Sequence, residues 1–220
     1  MITLDHFSLL EGRVREAAPA LVLFDLDGTL INSEPLHIQA IVYTLTEFDQ
    51  TVSLSDLIQL QAKGINEKMV GVNDSRVYEI IAEELGVTYQ HSIDELIEQK
   101  NDFLKGEEVL ALLKSAKCCA PELMNELRKL KDQGHRLGLV SASQREFVDH
   151  VVNSLGWQEL FELVICREDT EFTKPNPAPY LKAFELTQSV AHEVLIFEDS
   201  DTGLKSALDS GAQVTKVSWY

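Results

Sequence analysis

Two aspartates one residue apart, Asp25 and Asp27, stand at the end of an apolar run, LVLF at 21–24, and are followed at once by Gly28. Successive side chains of an extended segment alternate faces, so both carboxylates project the same way from the end of a strand. Two neighbouring carboxylates that stay ionised need a compensating cation. A hard divalent ion such as Mg²⁺ takes oxygen ligands and serves phosphate chemistry, which makes metal-assisted phosphoryl transfer the first expectation. The structural alternative is an acidic turn that closes a core strand.

The elements that must position these groups can be read outward from that run. A strand covered on both faces is continuously apolar, and the next such pattern is RLGLVSAS at 136–143. A gap this long far exceeds the ~30 residues of a βαβ unit, so a module has been inserted. Within it, 34–48, 55–62, 74–85 and 92–104 carry apolar residues at three- and four-residue spacing with plausible caps, which predicts helices. Gly71, Gly86 and Gly106 punctuate them, and the exit falls near 117–121. Beyond it the pattern predicts helices at 121–133, 145–155, 177–187 and 202–210, alternating with strands at 136–140, 162–166, 194–198 and 213–217. Such alternation implies a parallel sheet covered on both faces. Asp25, Ser141, Glu198 and Asp199 all fall at strand carboxyl ends, where open α/β sheets bind ligands. The first eighteen residues read as a helical extension.

Composition narrows the class. The 220 residues, 45% of them hydrophobic, suffice for one large core or a core with a smaller companion. Asp and Glu number 36 against 19 Lys and Arg, a formal charge of −17. That surface repels nucleic acid and anionic membrane, so a phosphate ligand must be drawn in locally. No stretch is long and apolar enough to span a bilayer, and the opening MITLDHFSLLEGRVREAAPA lacks a basic segment followed by an apolar one, so a cytoplasmic location is expected. Three cysteines, Cys118 and Cys119 adjacent, make no disulfide framework and read as buried reduced thiols.

Four separated segments, FDLDGTL at 24–30, VSAS at 140–143, TKPNPAPY at 173–180 and FEDSDTG at 197–203, resemble in order the four motifs of the haloacid dehalogenase superfamily of phosphotransferases. The resemblance implies that Asp25 is the nucleophile, taking the phosphoryl group as an aspartyl-phosphate. Asp27 would protonate the departing oxygen and later activate water. Covalent capture splits one hard step into two. To act as an acid Asp27 must hold a proton at working pH, which burial and the neighbouring Asp25 favour. The resemblance further implies Mg²⁺ held by Asp25 and the carbonyl of Asp27, with Glu198 and Asp199 as ligands or ligand-holders, Asp199 the stronger candidate. Ser141 would donate to a phosphoryl oxygen and Lys174 would neutralise charge shared by nucleophile and phosphate. Structural alternatives stand beside these roles. Ser141 could cap the next helix, Lys174 could be a solvated loop residue, and the acidic pair could open a helix capped by Asp201. Pro175 and Pro177 argue for a rigid presentation of Lys174.

The position of the insert resembles the C1-type helical cap of this superfamily, with the β-phosphoglucomutase-like subgroup nearest. It implies an α/β fold with a Rossmann-like parallel-sheet core, residues 1–31 and 119–220, and an α-helical cap, 32–118. INSEPLH at 31–37 places Ser33 and His37 at family positions near the active site, and Lys100 sits where a cap lysine reaches substrate. Ser143 is a further substrate-binding candidate. On pattern alone His37 and Lys100 read equally as polar positions on amphipathic helices. Two departures bear on the reaction. Sugar phosphomutases of this kind carry a phosphate-clamping arginine where GINEKM at 64–69 has Glu67, and a carboxylate there would repel phosphate. Retention of Asp27 argues against dehalogenase and phosphonatase chemistry. KCCAP at 117–121 replaces the usual Pro-Gly turn out of the cap. The expected function is a Mg²⁺-dependent phosphoric monoester hydrolase acting on a small phosphorylated metabolite, a sugar phosphate among the candidates, monomeric by default. The alternatives are a sugar phosphomutase and a non-catalytic phosphate-binding protein on the same fold.

Overall fold

Six short apolar runs supply the sheet: β1 (Ile2–Thr3), β2 (Leu21–Phe24), β3 (Arg136–Val140), β4 (Leu163–Ile165), β5 (Val194–Glu198) and β6 (Gln213–Ser218). They are seen in a computed structural model that describes residues 2–3, 8–69, 72–115 and 118–218. Gly71 and Lys117 lie outside the described residues, as does the side chain of Glu67. The strand order is β1-β6-β5-β2-β3-β4, with every neighbouring pair parallel. The first eighteen residues, expected as a helical extension, are helical as α1 (Ser8–Ala17), but residues 2–3 within that stretch form the edge strand β1 instead.

β2 is central, and its LVLF is buried throughout. Phe24 stands in register with Leu139 on one side and Phe197 on the other. The ladder continues past the strand end, where Asp25 N donates to Phe197 O at 3.0 Å and Ser141 N to Ile165 O at 2.9 Å. Asp25 thereby stands level with Val140 and Glu198, the last residues of β3 and β5, and Ser141 and Asp199 follow one residue further along the same edge of the sheet. After the helical insert follow α8 (Pro121–Asp132), α9 (Arg145–Ser154), α10 (Ala178–Thr187) and α11 (Asp201–Asp209). Leu21, Leu23, Val140, Ile165, Tyr180, Ala183, Phe184 and Ile196 share one core cluster, so α10 is fixed to the sheet by its own apolar face. Each fully buried aliphatic or aromatic side chain there contributes about 1.5–3 kcal/mol. That packing is what holds the strand ends still.

The chain divides into two compact units, Met1–Glu34 with Ala111–Tyr220, and Pro35–Leu110. The second is helical: α2 (Glu34–Tyr43), a π-helical turn (Thr44–Phe48), α3 (Leu54–Ala62), α4 (Asn66–Met69), α5 (Asp74–Leu85), α6 (Ile93–Leu104) and the start of α7 (Glu107–Leu113). The helix expected over 34–48 is thus α-helical only to Tyr43, after which Asp49 N reaches back five residues to Thr44 O at 2.8 Å. Ser53 and Ser92 open α3 and α6 with reciprocal capping boxes to Asp56 and Glu95. Leu45, Leu60, Tyr78, Ile81 and Leu96 form the unit's own core. α4 and α7 were not expected from the pattern, both being too short to show a helical period.

Candidate active site

The turn after β2 folds back on itself. Leu30 N and Ile31 N both donate to Leu26 O, at 2.9 and 3.0 Å, while Gly28 N donates to Ile31 O at 2.7 Å. Gly28 has φ +82°, and a Cβ built there would overlap the Asp199 carboxylate. Glycine is therefore what lets this turn approach the end of β5. Thr29 Oγ1 donates to Asp199 Oδ1 at 3.2 Å and closes the approach.

Lys174 ties three strand ends together. Its Nζ donates to Asp25 Oδ1 at 2.7 Å, to Glu198 Oε1 at 2.6 Å and to Val140 O at 2.8 Å. All three ammonium protons are so used. The ammonium also lies 5.0 Å from the centre of the Tyr180 ring, whose hydroxyl donates to Glu198 Oε1 at 2.7 Å. The other oxygen of Glu198 accepts from Asp199 N at 3.2 Å and Ser200 Oγ at 3.5 Å. Glu198 is wholly buried, and a Cβ at Gly203 would collide with its carboxylate. Its four contacts commit Glu198 to holding Lys174 and the start of α11.

The second aspartate is held from β3. Ser143 Oγ donates to Asp27 Oδ2 at 2.7 Å and Ser141 Oγ to the same oxygen at 3.3 Å. Ser141 Oγ in turn accepts from Ser143 N at 2.9 Å. The buried Asp27 Oδ1 takes no hydrogen bond among the described residues.

Charge is unevenly matched here. Burial raises the Asp25 carboxyl well above its ordinary range; Lys174 opposes this, and Glu198, Asp199 and Asp27 add to it. Burial, then Glu198, pushes Asp199 up to about 6. Burial works against the charge on Lys174, yet Asp25, Tyr180 and Glu198 together raise its proton affinity, so it stays an ammonium. Carboxylate oxygens of Asp25, Glu198 and Asp199 lie within 4.8 Å of one another. An all-oxygen set with excess negative charge fits a hard divalent cation. Since both oxygens of Glu198 are engaged, Asp25 and Asp199 are the residues left to ligate it.

Of the residues singled out from the sequence, Asp25, Asp27, Ser141, Ser143, Lys174, Glu198 and Asp199 converge on this one edge of the sheet. Ser33 is buried in the same unit, while His37 on α2 and Lys100 on α6 belong to the helical unit. Lys100 is buried, with Nζ 2.6 Å from Asp74 Oδ1, and is not a solvated charge. The acidic pair does lead into a helix, α11, but with a different cap. The residue capping α11 is Ser200, whose hydroxyl accepts from Gly203 N at 3.0 Å, and not Asp201. The N-cap position of α9 is Gln144, so Ser141 does not cap that helix. Lys174 is buried among acceptors, not solvated on a loop. Sequence reasoning gave no role to Thr29, Tyr180 or Gly203. All three lie inside the quoted motif segments, which was the available signal.

A family model described as haloacid dehalogenase-like hydrolase matches residues 22–217. The pyrophosphatase PpaX of Bacillus cereus is 28% identical over 199 residues, covering 90% of this chain and 82% of its own. Among solved structures, a predicted phosphoglycolate phosphatase from Haemophilus somnus is similar with a TM-score of 0.70 at 20% identity, over 90% of this chain and 84% of that one. CbbY of Rhodobacter sphaeroides, a mutant solved with xylulose-(1,5)bisphosphate, gives 0.64 at 20% identity over 89% and 84%. At such identities the structural likenesses speak for the fold.

Proposed function

This chain belongs to the haloacid dehalogenase-like hydrolases, and from that premise we propose that it is a Mg²⁺-dependent phosphatase of small phosphorylated metabolites that works through an aspartyl-phosphate on Asp25. The observation that carries the reading is the Lys174–Asp25 pair at 2.7 Å, beside a second aspartate held by two serines. A carboxylate so placed can attack phosphorus: the bond from Asp25 oxygen to phosphorus forms, the ester P–O bond breaks, and Asp27 hands its proton to the departing oxygen. Water then attacks the aspartyl-phosphate, Asp27 takes the water's proton, and the Asp25 carboxylate is regenerated. Lys174 offsets the charge that Asp25 shares with the phosphoryl group, and Ser141 donates to a phosphoryl oxygen. Mg²⁺, held by Asp25, Asp199 and the carbonyl of Asp27, would supply the charge neutralisation that lets an anionic phosphate approach these carboxylates.

The helical unit Pro35–Leu110 is proposed as the cap that selects substrate, with His37 and Lys100 as its candidate contacts and Ser33, in the sheet unit, as a further one. A sugar phosphate and pyrophosphate, the substrate in the name of the Bacillus relative, both fall within the proposed range. A cytoplasmic monomer is the setting proposed for this activity. A mutase is the weaker reading, because Glu67 stands where those enzymes place an arginine. The test is phosphate release across a panel of phosphorylated sugars, glycolytic acids and pyrophosphate, with Mg²⁺ or chelator and with a sugar bisphosphate in parallel. Metal-dependent release is expected, with Asp25→Asn forming no phosphoenzyme and Asp27→Asn slowed by about 10²–10⁴-fold. Turnover by Asp25→Asn at the wild-type rate would overturn the assignment of the nucleophile; isomerised sugar without release would move the chain to the mutases.

A further inference from the structure

We propose that Ser143 is the positioning residue for Asp27, holding Oδ2 so that Oδ1 is the oxygen that exchanges the proton with the leaving group. The inference rests on the phosphatase reading above and adds a residue and an atom to it.

The Ser143 Oγ to Asp27 Oδ2 distance of 2.7 Å is the shorter of the two serine contacts, Ser141 standing at 3.3 Å. It is a full-strength O–H···O hydrogen bond by length. Ser143 is itself fixed on both sides of its backbone: its N–H donates to Ser141 Oγ at 2.9 Å, and its carbonyl accepts from Arg167 N at 3.0 Å. A serine hydroxyl has one proton to give. With that proton committed to Asp27, Ser143 has none to offer a substrate phosphate, whose oxygens need donors.

The same contacts divide the labour within the Asp27 carboxyl. An oxygen that already accepts from two hydroxyls is a poor place for an acidic proton. Oδ1 is buried and accepts nothing among the described residues, so it is the oxygen left to face the reacting groups. In the first half-reaction the proton passes from Oδ1 to the departing ester oxygen as the P–O bond breaks. The Ser143 hydroxyl remains donated to Oδ2 and steadies the carboxylate left behind, while Ser141, at the longer 3.3 Å, turns its hydroxyl to a phosphoryl oxygen. In the second half-reaction Oδ1 takes a proton from the attacking water, and the carboxyl is restored with the same geometry. Without Ser143, Asp27 keeps the longer contact to Ser141 and can rotate, which misaligns Oδ1.

The test compares two leaving groups. p-Nitrophenolate departs without protonation, whereas an alkoxide from an alkyl phosphate such as glycerol phosphate requires it. In Ser143→Ala, kcat on the alkyl ester should fall about tenfold or more relative to kcat on p-nitrophenyl phosphate, with KM little changed. Ser143→Thr, which keeps the hydroxyl, should restore the ratio, and Ser143→Cys, of similar volume but a weak donor, should not. In an Asp27→Asn background the alanine change should shift the ratio no further, because both act through one group. A raised KM for both esters with an unchanged ratio would overturn the proposal in favour of a substrate contact. Crystal structures of wild type and Ser143→Ala decide the point without turnover: Asp27 rotated in the variant is expected, and Asp27 unmoved overturns the proposal. Wild-type protein that releases phosphate from no ester would instead overturn the phosphatase reading, leaving the crystal comparison to judge Ser143.

Discussion

Glu198 shows how a single residue can sit in an acidic cluster and yet serve a cation already there. It is wholly buried, and a buried carboxylate is tolerated only when its oxygens are met. Lys174 and Tyr180 meet one oxygen, and Asp199 N with Ser200 Oγ meets the other. Burial, opposed by Lys174 and reinforced by Glu198 and Asp25, holds the Tyr180 hydroxyl well above its ordinary range, so it stays a protonated donor. Tyr180→Phe removes that donor while keeping the ring beneath Lys174. The expected cost is about 1.5–3 kcal/mol, the range for a hydrogen bond to a charged group, read as a lower denaturant midpoint at unchanged slope. Turnover should fall too, since Glu198 then shares its oxygen with Lys174 alone and the lysine is less firmly held on Asp25. A midpoint equal to that of wild type would mean that Lys174 anchors Glu198 unaided.

Among the elements, the π-helical turn at the end of α2 depends on one carboxylate from outside its own helix face. Asp49 follows the turn, and its Oδ2 accepts from Gln90 N at 2.8 Å, His91 N at 2.9 Å and His91 Nδ1 at 3.2 Å, while Oδ1 accepts from Thr51 N at 3.3 Å. These bonds tie the turn to the loop that leads into α6. Burial alone would raise the Asp49 carboxyl, but the hydrogen bonds from Thr51, His91 and Gln90 outweigh it and lower the proton affinity. A carboxyl with a lower proton affinity folded than unfolded stabilises the fold above the ordinary carboxylate range, near pH 4, and the contribution is lost as pH falls through that range and below. Asp49→Asn should therefore cost about 1–3 kcal/mol at pH 7, and the difference from wild type should shrink at pH 3. Urea unfolding at both pH values checks this; a difference that stays constant would show that the ionised form adds nothing. This anchor also marks where the sequence stops being readable. β2, β5 and α5 announce themselves because an apolar period and its end signals are local. The strand-end cluster was legible for the same reason, each motif closing a readable strand. Asp49 bonds to residues some forty positions on, Ser143 to Asp27 beyond the neighbouring strand, and Tyr180 on α10 to Glu198 on β5; none of these pairings has a spacing. β1 gives too little length for a period, and Ser200 outcompeted Asp201 as a cap only because its hydroxyl faces Gly203 N.

At the scale of the whole molecule, the formal charge of −17 and the make-up of the site act on an anionic substrate in opposite senses. In the proposed site the carboxylates of Asp25, Glu198 and Asp199 would be balanced by Lys174 and one divalent cation. The metal-loaded centre would then be close to neutral, which leaves the net charge of the whole chain as the field a phosphate meets on approach. At about 10 mM ionic strength that field reaches some 30 Å, and at about 0.15 M only some 8 Å. Raising salt between those limits at saturating Mg²⁺ should therefore increase kcat/KM for a phosphate monoester about two- to threefold, by relieving depletion of the dianion near the surface, with kcat unchanged. The rise should be steeper for pyrophosphate, which carries more charge through the same field. Steady-state kinetics over a salt series at fixed free Mg²⁺ measures both slopes. A kcat/KM that falls with salt would mean that a local basic surface, and not the net charge, governs the approach, and the lysines of the helical unit would be the first place to seek it.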